Sequence, residues 1–183
     1  IGKGIPGVTL EVRGEDGKIV NPGEVGEIAA SGENIMAGYL GEPEETARVI
    51  KDGWYYTGDL ATVDDDGYIY IVGRSKNIIK SGGYRISPNE IEETILSLDG
   101  VSGCVVVGVP DDIMGEAVIA VVQAEGSDKE DISAKIISFC NTALPSYKVP
   151  KGIEFIDEFP LNSSKKVDRS RLKAMIMERR SQE

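Results

Sequence analysis

The apolar positions change their period partway along the chain. Before residue 87 short alternations dominate. Val8-Thr9-Leu10-Glu11-Val12 and Glu27-Ile28-Ala29-Ala30 predict strands, with turn chemistry at Gly14–Gly17 and Asn21-Pro22-Gly23. Pro43–Ile50 predicts a brief helical turn that Lys51-Asp52-Gly53 ends, and Trp54-Tyr55-Tyr56 opens an extended piece. Asp64-Asp65-Asp66-Gly67 predicts a tight hairpin between Ala61-Thr62-Val63 and Tyr68–Val72. These elements add up to a small antiparallel β-barrel or curled sheet.

From Ser87 the period lengthens. Ser87–Leu98 is amphipathic, with Ile91, Ile95 and Leu98 on one face. Ser87, Pro88 and Glu90 supply a cap hydroxyl, a proline at the first helical position and a first-turn carboxylate. Val101–Val109 and Ala117–Ala124 are continuous apolar runs, which predicts central strands covered by helices. Ser127 is placed to cap a helix from Lys129 to about Asn141 with Ile132, Ile136, Ile137 and Cys140 inward. Two prolines, Pro145 and Pro150, argue against regular structure across residues 144–150. Ile153–Ile156 predicts a strand, Pro160–Lys166 an exposed polar loop, and Asp168 or Ser170 the start of a last helix with Leu172, Met175 and Ile176 inward. The fold class is α+β. The expected domains are residues 1–74, a β-subdomain, and residues 75–183, a compact domain of a β-hairpin followed by a three-stranded sheet packed with helices.

Between the two patterns lies Gly73–Glu93. Arg74, Lys76 and Lys80 surround Ile78-Ile79, and Ser81-Gly82-Gly83 precedes a short strand at Tyr84-Arg85-Ile86. Cations around a glycine pair suit a flexible joint beside phosphate or another anion. A solvated hairpin leading into a helix accounts for the same residues.

Composition narrows the chemistry. The formal net charge is −11, which argues against a general electrostatic grip on nucleic acid or an anionic membrane. An anion site must therefore be a local Lys/Arg cluster. Histidine is absent, excluding His general bases, Ser-His or Cys-His pairs and imidazole zinc sites. Cys104 and Cys140 lie in apolar surroundings and read as buried thiols of an intracellular, cytoplasmic protein. No apolar run reaches the roughly 20 residues of a membrane span. The chain opens mid-pattern at Ile1-Gly2-Lys3-Gly4, without Met, as a piece of something longer would.

Four stretches could carry chemistry. Thr57-Gly58-Asp59 ends an extended segment with a carboxylate able to accept two hydrogen bonds from a ribose diol; an Asx turn is the plainer account. Gly73-Arg74 offers a guanidinium for phosphate or hydroxyl oxygens, or simply a cation at a strand end. The third is Lys76–Gly83. In the fourth, Asn162–Arg169, a lysine on a polar loop can meet charge that develops during reaction. Asp64–Asp66 reads as a solvated hairpin tip, since Ca²⁺ ligands are spread over a longer loop; no metal site is expected.

Jointly, these stretches resemble the motifs of the adenylate-forming ligase superfamily: acyl-CoA synthetases, peptide-synthetase adenylation domains and beetle luciferases. Gly26-Glu27-Ile28 through Gly38-Tyr39-Leu40, Tyr55–Leu60, Gly73–Glu92 and Asn162–Arg169 look like four of that family's ordered motifs. The resemblance implies that Asp59, with Thr57 in the same motif, holds the ribose of ATP and of the acyl-adenylate, and that Arg74 assists near ribose and phosphate. Lys76 falls on the hinge position. Lys166 matches the lysine that contacts the carboxylate and α-phosphate during adenylation. Lys80, counted with Lys166 as catalytic, opens the Lys80–Tyr84 face that comes up after the small domain turns, and Gly82, Gly83 and Tyr84 on it match the residues that admit the pantetheine of coenzyme A. The implied substrates are ATP with Mg²⁺, a carboxylic acid and coenzyme A. The implied partner is an N-terminal domain of the same chain, and a deacetylase acting on Lys166 is a further one.

Lys76, residues 81–90 and residues 144–153 look more like the acyl-CoA synthetase branch than peptide-synthetase adenylation domains. Two features depart from the pattern. Lys165 stands where the family usually has glycine. The family's Ser/Thr/Gly-rich phosphate loop is absent from these residues. The expectation is therefore the C-terminal third of a carboxylate–CoA ligase, inactive alone. A stand-alone, non-catalytic nucleotide- or CoA-binding module of the same fold is the alternative.

Overall fold

The computed structural model describes residues 2–124 and 129–180. Two compact units divide between Lys76 and Asn77.

The first unit is an antiparallel sheet. β1 (Val8–Arg13) pairs with β2 (Gly26–Gly32), and β2 pairs with β4 (Trp54–Val63). β4 also pairs with the short β3 (Ile50–Lys51) and with β5 (Ile69–Arg74), giving the expected curled sheet. α1 (Pro43–Val49) starts on proline and buries no residue. Alternation sets the core: Val12, Ile28, Ala61 and Ile69 point inward, with Leu10, Val20 and Val63 packed against them. The β4–β5 hairpin turns at Asp64–Gly67, where the Asp64 carboxylate accepts the N–H groups of Asp66 and Tyr68 and the Tyr70 hydroxyl. Those bonds hold Asp64 below the usual carboxylate range.

The second unit is a sheet covered on both faces. β6 (Ile79–Ser81) and β7 (Tyr84–Ile86) form a hairpin that leads into α2 (Pro88–Leu96). β8 (Val101–Asp111) pairs antiparallel with β9 (Gly115–Ala124), and α3 (Lys129–Ala143) returns the chain to β10 (Gly152–Phe155), parallel to β9. α4 (Arg169–Arg180) follows. The hairpin joins the sheet at one pair, Ser81 with Gly115. Even-numbered residues of the central run, Cys104, Val106, Val118, Ala120 and Val122, face Ile91, Ile95, Ile136 and Cys140 of α2 and α3. Odd-numbered residues, Val105, Val107, Ile119 and Val121, face Leu172 and Ile176 of α4. Burial on both faces is why these strands read as unbroken apolar runs. Each fully buried Ile or Leu in these layers contributes about 1.5–3 kcal/mol relative to exposure.

Three local expectations need correction. Both apolar runs were expected to be central, but only β9 has neighbours on both sides; β8 pairs with β9 alone among the described strands. Its burial comes from helices, which sequence cannot distinguish from flanking strands. Ser87 occupies the N-cap position and is buried, yet its hydroxyl makes no capping bond; Pro88 at the first helical position removes one of the amides that need a partner. The two prolines of 144–150 leave room for one 3₁₀ turn, Ser146–Lys148. Ser127, expected as a cap, lies outside the described residues.

Candidate functional site

In the first unit the candidate residues meet at a β-bulge. The β2–β4 register slips between Glu27 and Ala29, which pair with Leu60 and Tyr56, so Thr57-Gly58-Asp59 stands out of the ladder. Glycine is needed there because φ at Gly58 is +76°. Side chains replace the lost ladder bonds. The Gly58 N–H donates to Glu27 Oε1 at 2.8 Å, and the Thr57 hydroxyl donates to the Ile28 carbonyl at 3.0 Å and accepts the Asp59 N–H at 3.1 Å. Asp59 pairs in register with Arg74 across β5, and Arg74 Nε sits 2.7 Å from Asp59 Oδ1. Arg74 Nη1 donates to the Thr57 carbonyl at 3.3 Å.

Asp59 therefore is not the centre of an Asx turn. Its carboxylate is oriented by a guanidinium, one oxygen engaged, and its side chain is 22% exposed against 55% for Arg74. A carboxylate so held can accept from a diol, and the guanidinium beside it can face an anion. Tyr55 lies near this pair. Its phenol titrates above the usual range, first through a hydrogen bond with Tyr39 and then through burial. Glu27 and the Tyr39–Tyr55 contact were not singled out as site residues in sequence, although all three lie inside the motifs.

Ser75–Asn77 is a single 3₁₀ turn at the boundary of the units, and Lys76 within it is exposed. In the second unit the β6–β7 hairpin turns on Gly82 (φ +57°) and Gly83 (φ +84°), two consecutive left-handed residues as a type I′ turn requires. The Gly82 N–H donates to the Met114 carbonyl at 2.9 Å, and a methyl group at Gly82 would lie 2.3 Å from Met114 Cε. Around Gly83 no atom lies within 4 Å of where a Cβ would be. Gly83 is thus the open side of the turn. Tyr84 stacks on Tyr147 with ring centroids 4.1 Å apart and planes 9° from parallel, an exposed aromatic face that sequence missed because the rings are 63 residues apart.

Lys80 has an exposed side chain, while its N–H donates to Glu116 Oε2 at 2.8 Å. Lys173 of α4 reaches Glu116 Oε1 at 2.9 Å. Burial pushes the Glu116 carboxyl up, but the hydrogen bonds from Lys80 and Lys173 prevail and hold it below the usual range.

The fourth stretch forms a five-residue turn between β10 and α4. Leu161 and Val167 bridge its base. The Asn162 side chain organises the tip, its Oδ1 accepting from the N–H groups of Ser164 and Lys166 at 2.9 and 3.0 Å. The Asn162 N–H donates to the Lys166 carbonyl at 2.8 Å. Lys165 takes φ +57°, so the position does require the left-handed region that glycine adopts freely. Lys166 is exposed, with its backbone fixed from both directions. The chemistry available is a presented ammonium, suited to neutralising charge on an oxyanion. Among the described residues no group of three or more Asp, Glu or Cys could hold a metal ion. No helix among them is long and apolar enough to cross a membrane.

Residues 90–166 match the family model for the AMP-binding enzyme C-terminal domain. The chain is 45% identical over 166 residues to the feruloyl-CoA synthase of an Amycolatopsis species, covering 90% of this chain and 34% of that protein. ATP-bound MatB from Rhodopseudomonas palustris superposes with a TM-score of 0.86 at 35% identity, over 96% of this chain and 35% of that one. The o-succinylbenzoate CoA synthetase MenE of Bacillus subtilis, in complex with the acyl-adenylate intermediate OSB-AMP, superposes with a TM-score of 0.85 at 30% identity, over 92% and 34%. The chain thus spans about a third of the length of these relatives.

Proposed function

We propose that this chain, whose residues 90–166 match the family model for the AMP-binding enzyme C-terminal domain, supplies the ribose-holding corner and the mobile lobe of an ATP-dependent carboxylate–CoA ligase. The observation that carries the reading is the Asn162–Lys166 turn, which four hydrogen bonds close and which presents Lys166 exposed, beside Lys165.

The reaction asks for such a group. A substrate carboxylate attacks the α-phosphorus of ATP, forming the acyl–phosphate bond and expelling pyrophosphate. Two anions meet in that step, and negative charge grows on the phosphoryl oxygens. Lys166 Nζ neutralises it, an effect worth about 10²–10³ in rate for one well-placed donor. Asp59 and Thr57 hold the ribose, and Arg74 lies beside them toward the phosphate. The coenzyme A thiol then attacks the acyl carbonyl, AMP leaves, and the thiol proton is released. For that step the lobe turns about Lys76, withdrawing Lys166 and bringing up Lys80, Gly82, Gly83 and Tyr84. The gap around Gly83 suits passage of a pantetheine arm. Mg²⁺ would accompany the ATP phosphates through residues outside this chain. The N-terminal part of the same polypeptide would hold the carboxylic acid, and the 183 residues alone are expected to turn over no acid.

The test uses the full-length ligase. Lys166→Ala is expected to abolish adenylate formation, read as pyrophosphate exchange, while thioester formation from preformed acyl-adenylate persists. Equal loss of both half-reactions would overturn the role. Acetylation of Lys166 removes the same charge and is expected to silence the same step, which a deacetylase would restore. Adenylation retained after stoichiometric acetylation at Lys166 counts against that regulation.

A further inference from the structure

Among the described strands β8 lies at the sheet edge, and an edge strand exposes unpaired backbone groups that a fold must cover. At Val106 the cover is a pair of side chains from two distant motifs. Glu92, on α2, accepts the Val106 N–H on Oε1 at 2.7 Å. Arg169, the first residue of α4, donates from Nη1 to the Val106 carbonyl at 2.9 Å. Arg169 Nη2 then closes the ring, 2.8 Å from both Glu92 oxygens. One residue of strand is paired on its open side as though another strand lay there. The pair is sheltered, the Glu92 side chain being 13% exposed and that of Arg169 27%. Cys104 registers the same charges. Its thiol is pushed up to about 12, by burial first and next by Glu92, with Arg169 pulling the other way.

Arg169 lies three positions beyond Lys166, where the Asn162–Lys166 turn runs into α4. Asp168, between them, donates its N–H to the Pro160 carbonyl and accepts the Arg171 N–H, so the base of the turn is continuous with the helix start. The exposed turn has no other described tie of this kind to the sheet. We infer that Glu92 is a positioning residue for Lys166: by gripping Arg169 on the open edge of β8, it fixes the stem from which Lys166 is presented. Glu92 touches no substrate. The inference rests on the adenylation role of Lys166 and adds to it a second carboxylate, 74 positions away in sequence.

The experiment compares Glu92→Gln, Arg169→Lys and Lys166→Ala in the full-length ligase. Glu92→Gln keeps an oxygen for the Val106 N–H and removes the charge that holds Arg169. Its kcat for adenylation should fall by about ten- to a hundredfold, the scale of a slightly misplaced catalytic group. KM for ATP and thioester formation from preformed acyl-adenylate should stay within about twofold. Hydrogen exchange should quicken across residues 161–169 and stay unchanged in β9. Should Glu92→Gln fail to fold, Arg169→Lys carries the same test, since it keeps the charge and loses the two-pronged grip. Loss of both half-reactions by one factor would mean a merely structural role and overturn the inference. Unchanged adenylation in Glu92→Gln and Arg169→Lys, with Lys166→Ala inactive, would overturn it alone. Unchanged adenylation in Lys166→Ala would overturn both this inference and the reading beneath it.

Discussion

Replacing Lys165 with glycine should stabilise the second unit. Among the described residues, Lys165 is one of two non-glycine residues with positive φ, at +57°. A side chain there costs roughly 1–2 kcal/mol through the clash of Cβ with the following carbonyl. Glycine removes that cost but loses about 0.5–1 kcal/mol of the gain to the extra freedom of the unfolded chain. The net expectation is a gain of about 0.5–1 kcal/mol. The turn's bonds run through Asn162 and backbone groups and survive the change. Urea unfolding followed by far-UV circular dichroism, with the slope checked for constancy, measures it; the corresponding rise in melting temperature is roughly 2–6 °C. Lys165→Val provides the opposite arm, since a β-branched residue tolerates the left-handed region worst and should lose about 1 kcal/mol or more. Destabilisation by Lys165→Gly, or no cost from Lys165→Val, would refute the claim that backbone geometry governs this position.

The two glycines of the hairpin should behave differently. Gly83→Trp in the full-length ligase is expected to spare adenylation and block thioester formation, because open space surrounds Gly83; both steps intact would rule out thiol passage there. Gly82→Ala must also move Met114, so its melting temperature should fall further than that of Gly83→Ala. Glu116 links stability to pH. Its folded pKa lies below the ordinary 4.5, so its contribution is fully present above that value and disappears as pH falls through the lower, folded one. Glu116→Gln should flatten the acid limb of the stability–pH curve, and an unaltered limb would contradict the assignment. Cys104, with its thiol pushed to about 12 by burial, should resist iodoacetamide at mildly alkaline pH in the folded protein and react once denatured; fast labelling in the folded state would show that the apolar layer opens.

What sequence disclosed was local or periodic. The unbroken apolar run Val101–Val109 foretold a strand buried under helices, the 3.6 period of α2 foretold its buried face, and Gly82-Gly83 foretold a turn of positive φ. The glycine-like demand at Lys165 was visible as a departure from a motif. Long-range partners were not visible. Glu90 was read as a first-turn carboxylate, but it also pairs with Lys148, 58 residues on. Glu27 serves the Gly58 amide across 31 residues, and Glu92 serves Arg169 across 77. The edge position of β8 depends on sheet order, which a strand's own apolar pattern does not encode.

The bulge at Thr57–Asp59 has an architectural corollary. Every side chain that shapes it, from Glu27 to Arg74, precedes Asn77, whereas the lysine turn and the glycine hairpin come after. A crossover placed between Lys76 and Asn77 would exchange one toolset for another and leave the bulge's wiring whole. Descent by recombination, or a deliberate graft between relatives, could reshape the second half of the chemistry without relearning the first.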